Sequence, residues 1–122
     1  ICYHHDMKVI EFDFYDWDEF EDYLDSLPDK DAAKLLAVIN NIEEQGLAIA
    51  ERQKWTKKLE PNLYEIRSKL ASNIQRAIYF HWENNRYVIT QGFTKKTQKT
   101  PKREIKKGLR RRDIYERRHH HE

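Results

Sequence analysis

The sequence predicts an α+β domain in which an antiparallel-dominated sheet packs with N-terminal helices and a C-terminal helix, in the order β-α-α-β-β-β-α. Three observations lead there. Between residues 17 and 46 apolar side chains recur every three or four positions, the spacing of one helix face. From Leu63 to Phe93 the pattern changes to short runs of β-branched and aromatic residues broken by polar turns, as in consecutive strands. Beyond Pro101 the helical spacing returns among many cations.

Each element has its own signal. Lys8 to Phe14 alternates toward its end and reads as the first strand. Asp16 can cap a helix in which Trp17, Phe20, Tyr23 or Leu24, and Leu27 share a face until Pro28 stops it. Asp29 or Asp31 opens a second helix, with Ala32, Leu35, Leu36, Ile39 and Ile42 or Glu43 in its stripe, ending at Gly46. Leu47 to Gln53 adds a further turn, and the chain then leads through Pro61-Asn62. Leu63 to Arg67, Ile74 to Trp82 and Tyr87 to Phe93 form a meander, with Glu83 to Arg86 as the turn between the last two. Pro101 suits the first turn of a final helix carrying Ile105 and Leu109.

A chain of 122 residues, 39% hydrophobic and 12% aromatic, supports one hydrophobic core rather than two. The single domain is assigned to residues 7–118. Residues 1–6 and 119–122 read as flexible or appended ends, because His4-His5 and the run His119-His120-His121 lie there, where such additions collect. No stretch approaches the roughly 20 apolar residues of a membrane span, and no basic-then-apolar leader opens the chain. A cytoplasmic protein without a membrane partner is expected. Cys2 has no second cysteine to pair with, and neither a metal nor a cofactor is expected.

The net charge of +2 conceals a strong polarity. Residues 1–50 hold three Lys/Arg against thirteen Asp/Glu, and residues 51–122 hold twenty against eight. Such asymmetry suits one face built for a polyanion, unless opposite charges meet across the fold and cancel. Cancellation is hard to complete between Lys95 and Arg118, where twelve basic residues face three acidic ones.

The densest candidate for chemistry joins the last strand to the last helix. Lys95, Lys96 and Lys99, with the hydroxyl and amide groups of Thr94, Thr97, Gln98 and Thr100, precede a helix N-terminus, which favours phosphate. A solvated connector would have the same composition. Arg67 and Arg76 stand in neighbouring strands, where a guanidinium needs either a phosphate or a carboxylate such as Glu65 or Glu60. Tyr79 and His81 alternate with Arg76 and should project from the opposite face unless a bulge intervenes. His81 could move a proton near neutral pH, although a strand histidine is often only structural. No phosphate loop, metal-binding helix motif or activated Ser or Cys is present. Cations of this kind can cleave RNA by aligning the 2′-OH with the neighbouring phosphate and stabilising the charge that develops; DNA lacks that hydroxyl.

Leu59, Leu63-Tyr64-Glu65-Ile66-Arg67, Arg76 to Phe80, and the run Phe93-Thr94-Lys95-Lys96-Thr97-Gln98-Lys99-Thr100-Pro101 with Glu104-Ile105 resemble, in order and spacing, the HigB branch of the RelE/ParE toxins. The resemblance covers about residues 54–112. It implies a small RelE-like fold and the toxin of a type II toxin-antitoxin system: a metal-independent endoribonuclease that cuts mRNA on the ribosome and is neutralised by a HigA-like helix-turn-helix antitoxin. It further implies that Arg67 and Arg76 hold the scissile phosphate and that Lys95 and Lys96 fill the basic site beside it. Lys57, Lys58, Lys69, Lys99, Lys102 and Arg103 are expected RNA contacts. Glu65 stands where RelE carries a strand lysine, and the last helix does not begin with the tyrosine that is catalytic in RelE. The proton-transfer group therefore stays open among Lys95, Lys96, His81, Tyr79 and Tyr115. The same fold serves ParE-like poisons of DNA gyrase, and a non-catalytic nucleic-acid or ribosome-binding module would also use the basic half.

Overall fold

The structure, a computed structural model, describes residues 8–96 and 99–120. Cys2, His4, His5, Thr97, Gln98 and His121 lie outside the described residues. The chain forms β1 (Glu11–Phe14), α1 (Trp17–Asp25), α2 (Asp29–Gln45), α3 (Leu47–Arg52), β2 (Thr56–Glu60), β3 (Leu63–Leu70), β4 (Asn73–Glu83), β5 (Arg86–Lys95) and α4 (Lys102–Arg118). One five-stranded sheet has the order β1-β5-β4-β3-β2, parallel between β1 and β5 and antiparallel elsewhere. The predicted α+β class and antiparallel meander are therefore present. Among the described residues no helix is long and apolar enough to cross a membrane.

The local signals act as their chemistry requires. The Asp16 carboxylate accepts from the Glu19 amide at 3.0 Å and caps α1, satisfying one of the amides left over at a helix start. Asn84 adopts φ 51° in the two-residue turn joining β4 to β5, a conformation asparagine tolerates better than most residues.

Four details differ from the sequence reading. β2 was not anticipated: it is an edge strand whose Lys57 and Lys58 are both exposed, and charges that protect an edge also blur the alternation. The turn after Gly46 is a six-residue helix, α3. β1 begins only at Glu11, because the Val9 and Ile10 amides donate to the Glu43 carbonyl of α2 instead of to a strand. Leu36, placed in the stripe of α2, is 38% exposed; the buried face runs through Leu35, Val38, Ile39 and Ile42.

Alternation along the strands divides the interior in two. On one face α1, α2 and α3 cover Ile66, Ala77, Tyr79 and Ile89 with Phe20, Leu24, Leu35, Val38, Ile39, Ile42 and Ala50. On the other α4 lays Ile105, Leu109 and Tyr115 against Leu63, Ile78, Phe80, Val88 and Phe93. α1 comes closest to the sheet at Gly92, where an added Cβ would stand 2.7 Å from Tyr23 Cδ2 and 2.9 Å from Phe20 Cε1. Both rings are packed in the core, so neither can yield without cost. Gly92→Ala is expected to destabilise the fold by about 1–3 kcal/mol through overpacking, measured as a lower urea midpoint with an unchanged slope; an unchanged midpoint would show that α1 rides loosely on the sheet.

Candidate active site

β3 and β4 set Arg67 directly opposite Arg76 and Glu65 opposite Ile78. Alternate residues share a face, so Glu65, Arg67 and Lys69 stand with Ile74, Arg76 and Ile78 on the α4 side. β5 adds Phe93 opposite Arg76 and Lys95 opposite Ile74, and β2 adds Lys57 opposite Glu65. α4 is clipped to this face by polar bonds. Gln91 Nε2 donates to the Glu104 carbonyl at 2.9 Å and to its carboxylate at 3.2 Å, Arg111 donates to the Thr90 carbonyl at 2.9 Å, and Arg112 donates to the carbonyls of Pro61 and Asn62 at 2.8 and 2.9 Å. The cations gather beyond the N-terminal end of this helix.

Two guanidinium groups facing each other repel, and Glu65 compensates. Its carboxylate is 1% exposed, with Oε2 at 3.6 Å from Arg76 Nε and 3.9 Å from Arg67 Nε. The other oxygen, Oε1, accepts from the Thr100 hydroxyl at 2.6 Å, which ties the connection before α4 to the sheet. Arg76 is buried and donates from Nη1 to the Gln75 carbonyl at 3.1 Å, while its buried Nε has no hydrogen-bond partner. Glu65 is thus an ionic neighbour of that Nε without being its acceptor. An unspent donor on a buried cation suits an anionic oxygen.

Burial shapes the proton affinity of the pair of cations nearest this point. Desolvation lowers the pKa of Arg76, and Glu65 works against the shift. Lys95, also buried, is lowered first by desolvation and then by the charge of Arg76, with Glu65 acting in the opposite direction and Arg67 and Lys57 adding to the shift. Lys95 therefore releases its proton more readily than a surface lysine.

Two open depressions extend the positive surface. Arg67 and Arg76 line one of about 270 Å³ together with Lys54, Ser68 and Lys69. Lys96, Lys99, Lys102 and Arg103 line the other, of about 510 Å³, with Thr94, Thr100 and Pro101. Among the predicted residues, Arg67, Arg76, Lys95, Lys57 and Lys69 form the first group, and Lys96, Lys99, Lys102 and Arg103 the second.

His81 is a correction. The β4–β5 register shifts between Ile78 and Tyr79, but the extra residue, Thr90, is on β5, and β4 keeps its alternation, with Ala77 and Tyr79 in one core and Ile78 and Phe80 in the other; His81 therefore sits on the α1–α3 face with the sheet between it and Arg76. Its Nε2 pairs with the Asn84 carbonyl at 2.8 Å, and its ring packs against Tyr87. Lys58 alternates with Lys57 and stands opposite Tyr64, on that same side; both lysines of this edge strand border the cavity of His81, Tyr64 and Tyr79. The Tyr79 hydroxyl is bonded to Thr56, and burial raises its pKa. Tyr115 does lie on the α4 side, but it packs on Phe80 and Trp82; Phe80 is about 13 Å along β4 from Arg76 at the usual rise per residue. Of the five proton-transfer candidates, Lys95 and Lys96 are beside the arginines or the adjoining depression. The contribution of Thr100 was not anticipated, since a threonine among lysines gives no sequence sign of bonding to a strand glutamate. Among the described residues no group of three His, Cys, Asp or Glu side chains could hold a metal ion.

Comparison with known proteins bears on this arrangement. Residues 22–113 match the family described as phage derived protein Gp49-like (DUF891). Two relatives named probable endoribonuclease HigB1, from Mycobacterium tuberculosis strains CDC 1551 / Oshkosh and ATCC 25618 / H37Rv, are each 31% identical over 98 residues, covering 80% of this chain and 74% of theirs. The family match contains Glu65 and every cation of the first group.

The coupling of Lys95 to Arg76 can be measured. Arg76→Gln removes a neighbouring positive charge and is expected to raise the Lys95 pKa toward the ordinary lysine value, followed by NMR titration of the side-chain Cε and Hε signals. An unmoved or lowered value would show that the guanidinium charge does not act on Lys95.

Proposed function

The chain belongs to the Gp49-like family of phage-derived proteins, and from that premise we propose that it is the toxin of a type II toxin-antitoxin pair, an endoribonuclease that cuts messenger RNA on the ribosome. The observation that carries the reading is the opposed pair Arg67 and Arg76, joined by the buried Lys95 and held by Glu65. Cations fixed before substrate arrives do not have to reorganise as charge develops, and preorganised donors of this kind are among the larger contributors to catalysis. The name of the HigB1 relatives supports the same reaction class.

The chemistry follows from the groups at hand. The RNA 2′-oxygen attacks the adjacent phosphorus, the bond from phosphorus to the 5′-oxygen breaks, and the products are a 2′,3′-cyclic phosphate and a 5′-hydroxyl. The 2′-hydroxyl loses its proton to solvent water, and the leaving 5′-oxygen gains one. Arg67 and Arg76 neutralise the non-bridging oxygens as charge builds in the transition state. Lys95, with its proton loosened by burial, serves the leaving oxygen, because an acid with a pKa nearer the working pH gives up its proton more effectively. No metal is required for these steps. Lys96, Lys99, Lys102 and Arg103 guide the flanking phosphates, and Lys57 and Lys69 extend the track along the sheet. The protein works in the cytoplasm, has the RelE-like toxin fold and is silenced by a cognate helix-turn-helix antitoxin.

Expression of the chain without its antitoxin is expected to arrest growth, with primer extension revealing new 5′ ends inside translated messages. Intact messages together with accumulating gyrase–DNA breaks would instead assign it to the gyrase poisons. Arg76→Ala and Lys95→Ala should each lower cleavage by about 10²-fold or more, the usual scale for losing one transition-state donor, while the far-UV spectrum stays native. A double variant that still cleaves at the full rate would locate the reaction elsewhere.

A further inference from the structure

Away from the cations, exposed apolar surface concentrates between α1 and α2. Among the described residues the exposed large hydrophobic side chains are Val9, Trp17 and Leu36, at 52%, 44% and 38%. Trp17 and Leu36 line one groove of about 510 Å³ between these helices, with Leu24, Ala32 and Ala33 completing its apolar lining. Glu21, Asp25 and Asp29 also line it, and no lysine or arginine does. The Trp17 ring meets Phe14 edge-on at 4.9 Å and lies 6.3 Å from Phe20. An aromatic side chain held in place in this way loses little further freedom when a partner covers it. An apolar trough between helices is the shape an amphipathic helix fills, and a carboxylate rim selects a cationic one.

We propose that the α1–α2 groove is a docking site for a lysine- or arginine-rich amphipathic helix of a protein partner, bound on the sheet face opposite to Arg67, Arg76 and Lys95. This goes beyond the ribonuclease reading and does not depend on it. The rim carboxylates repel phosphates, which disfavours RNA here. A second copy is also a poor occupant: its basic helix, α4, already commits Ile105, Leu109 and Tyr115 to its own sheet. A partner seated in the groove leaves the cation cluster open, so helix and RNA bind at the same time.

The test uses the full chain and a synthetic peptide of about five helical turns, with leucines at i, i+3, i+4 and i+7 among lysines. An isomer of the same composition, with leucines spread around the helix, is the control. Calorimetry is expected to show saturable binding of the first peptide and much weaker binding of the isomer. The double variant Asp25→Lys/Asp29→Lys and the single variant Leu36→Ser should each weaken binding by about tenfold or more, or 1.4 kcal/mol, while Arg76→Gln leaves it unchanged. Equal binding of the isomer, or undiminished binding by both groove variants, would overturn the proposal. So would displacement of the peptide by an RNA oligomer, or a concentration-dependent dimer abolished by Leu36→Ser. Peptide binding is read without RNA, so its failure is distinct from failure of the cleavage assay; RNA cleavage by Asp25→Lys/Asp29→Lys should be unchanged, and its loss would contradict two separate sites.

Discussion

Glu65 reconciles two demands that conflict in the rest of the site. Catalysis of phosphate cleavage wants several positive charges close together and partly out of water, whereas a folded sheet is weakened by like charges placed opposite each other. The register of β3 and β4 makes Arg67 and Arg76 direct neighbours, and the single carboxylate beneath them approaches both at 3.6 and 3.9 Å. Stripping one partner from a buried ion pair typically costs about 3–5 kcal/mol, because the other charge is left uncompensated. The same carboxylate takes a hydrogen bond from Thr100. The cations, the strand pair and the connection to α4 are therefore held from one point. The approach to Arg76 Nε is long, so its donor remains unspent. Glu65 neutralises charge without accepting a hydrogen bond from that donor.

Strand parity then decides which groups can share this environment. Because side chains alternate, everything in step with Arg76 along β4 faces α4, and everything out of step faces α1, α2 and α3. Tyr79 and His81 are out of step, and they enter an aromatic layer with Tyr64 and Tyr87. A strand side chain that shares the surroundings of Arg76 has to be in step with it. Lys95 meets that condition: it is opposite Ile74, two residues before Arg76 on β4, and the charge of Arg76 acts on it.

Much of this was legible in the sequence, for reasons that differ by element. The caps and the turn at Asn84 are local, so their residues announce them. α2 was legible because its apolar spacing persists over seventeen residues, yet Leu36 was misassigned: spacing shows which residues share a stripe and not how far the neighbouring element reaches across it. β2 was hidden because an edge strand with two exposed lysines has no apolar face to advertise. In the site, parity separated His81 from Arg76 without coordinates. The clustering of Arg67, Arg76 and Lys95 was foreseeable from family likeness, but the bond from Thr100 to Glu65 was not, since it depends on how a connecting segment folds back over a strand thirty-five residues away.

The charge polarity of the chain has a physical use once the fold is known. Cross-half ion pairs do form: Glu19 binds Arg111 at 2.6 and 2.9 Å, and Asp13 binds Arg86 at 2.9 Å. These fasten α1 to α4 and β1 to β5, which is a structural task, and they involve none of Arg67, Arg76 or Lys95. Acids that do not fasten the fold, such as Glu21, Asp25 and Asp29, line the α1–α2 groove, while Lys96 and Lys99 of the β5–α4 connection line a separate depression with Lys102 and Arg103. No residue lines both depressions, and salt screens exposed charges over roughly 8–10 Å. Acidic and basic residues therefore line different depressions, an arrangement that gives the surface an uneven charge distribution. Separating opposite charges into different depressions is what lets a charged molecule be oriented before any specific contact forms, and mixing the same residues in one place would remove that property.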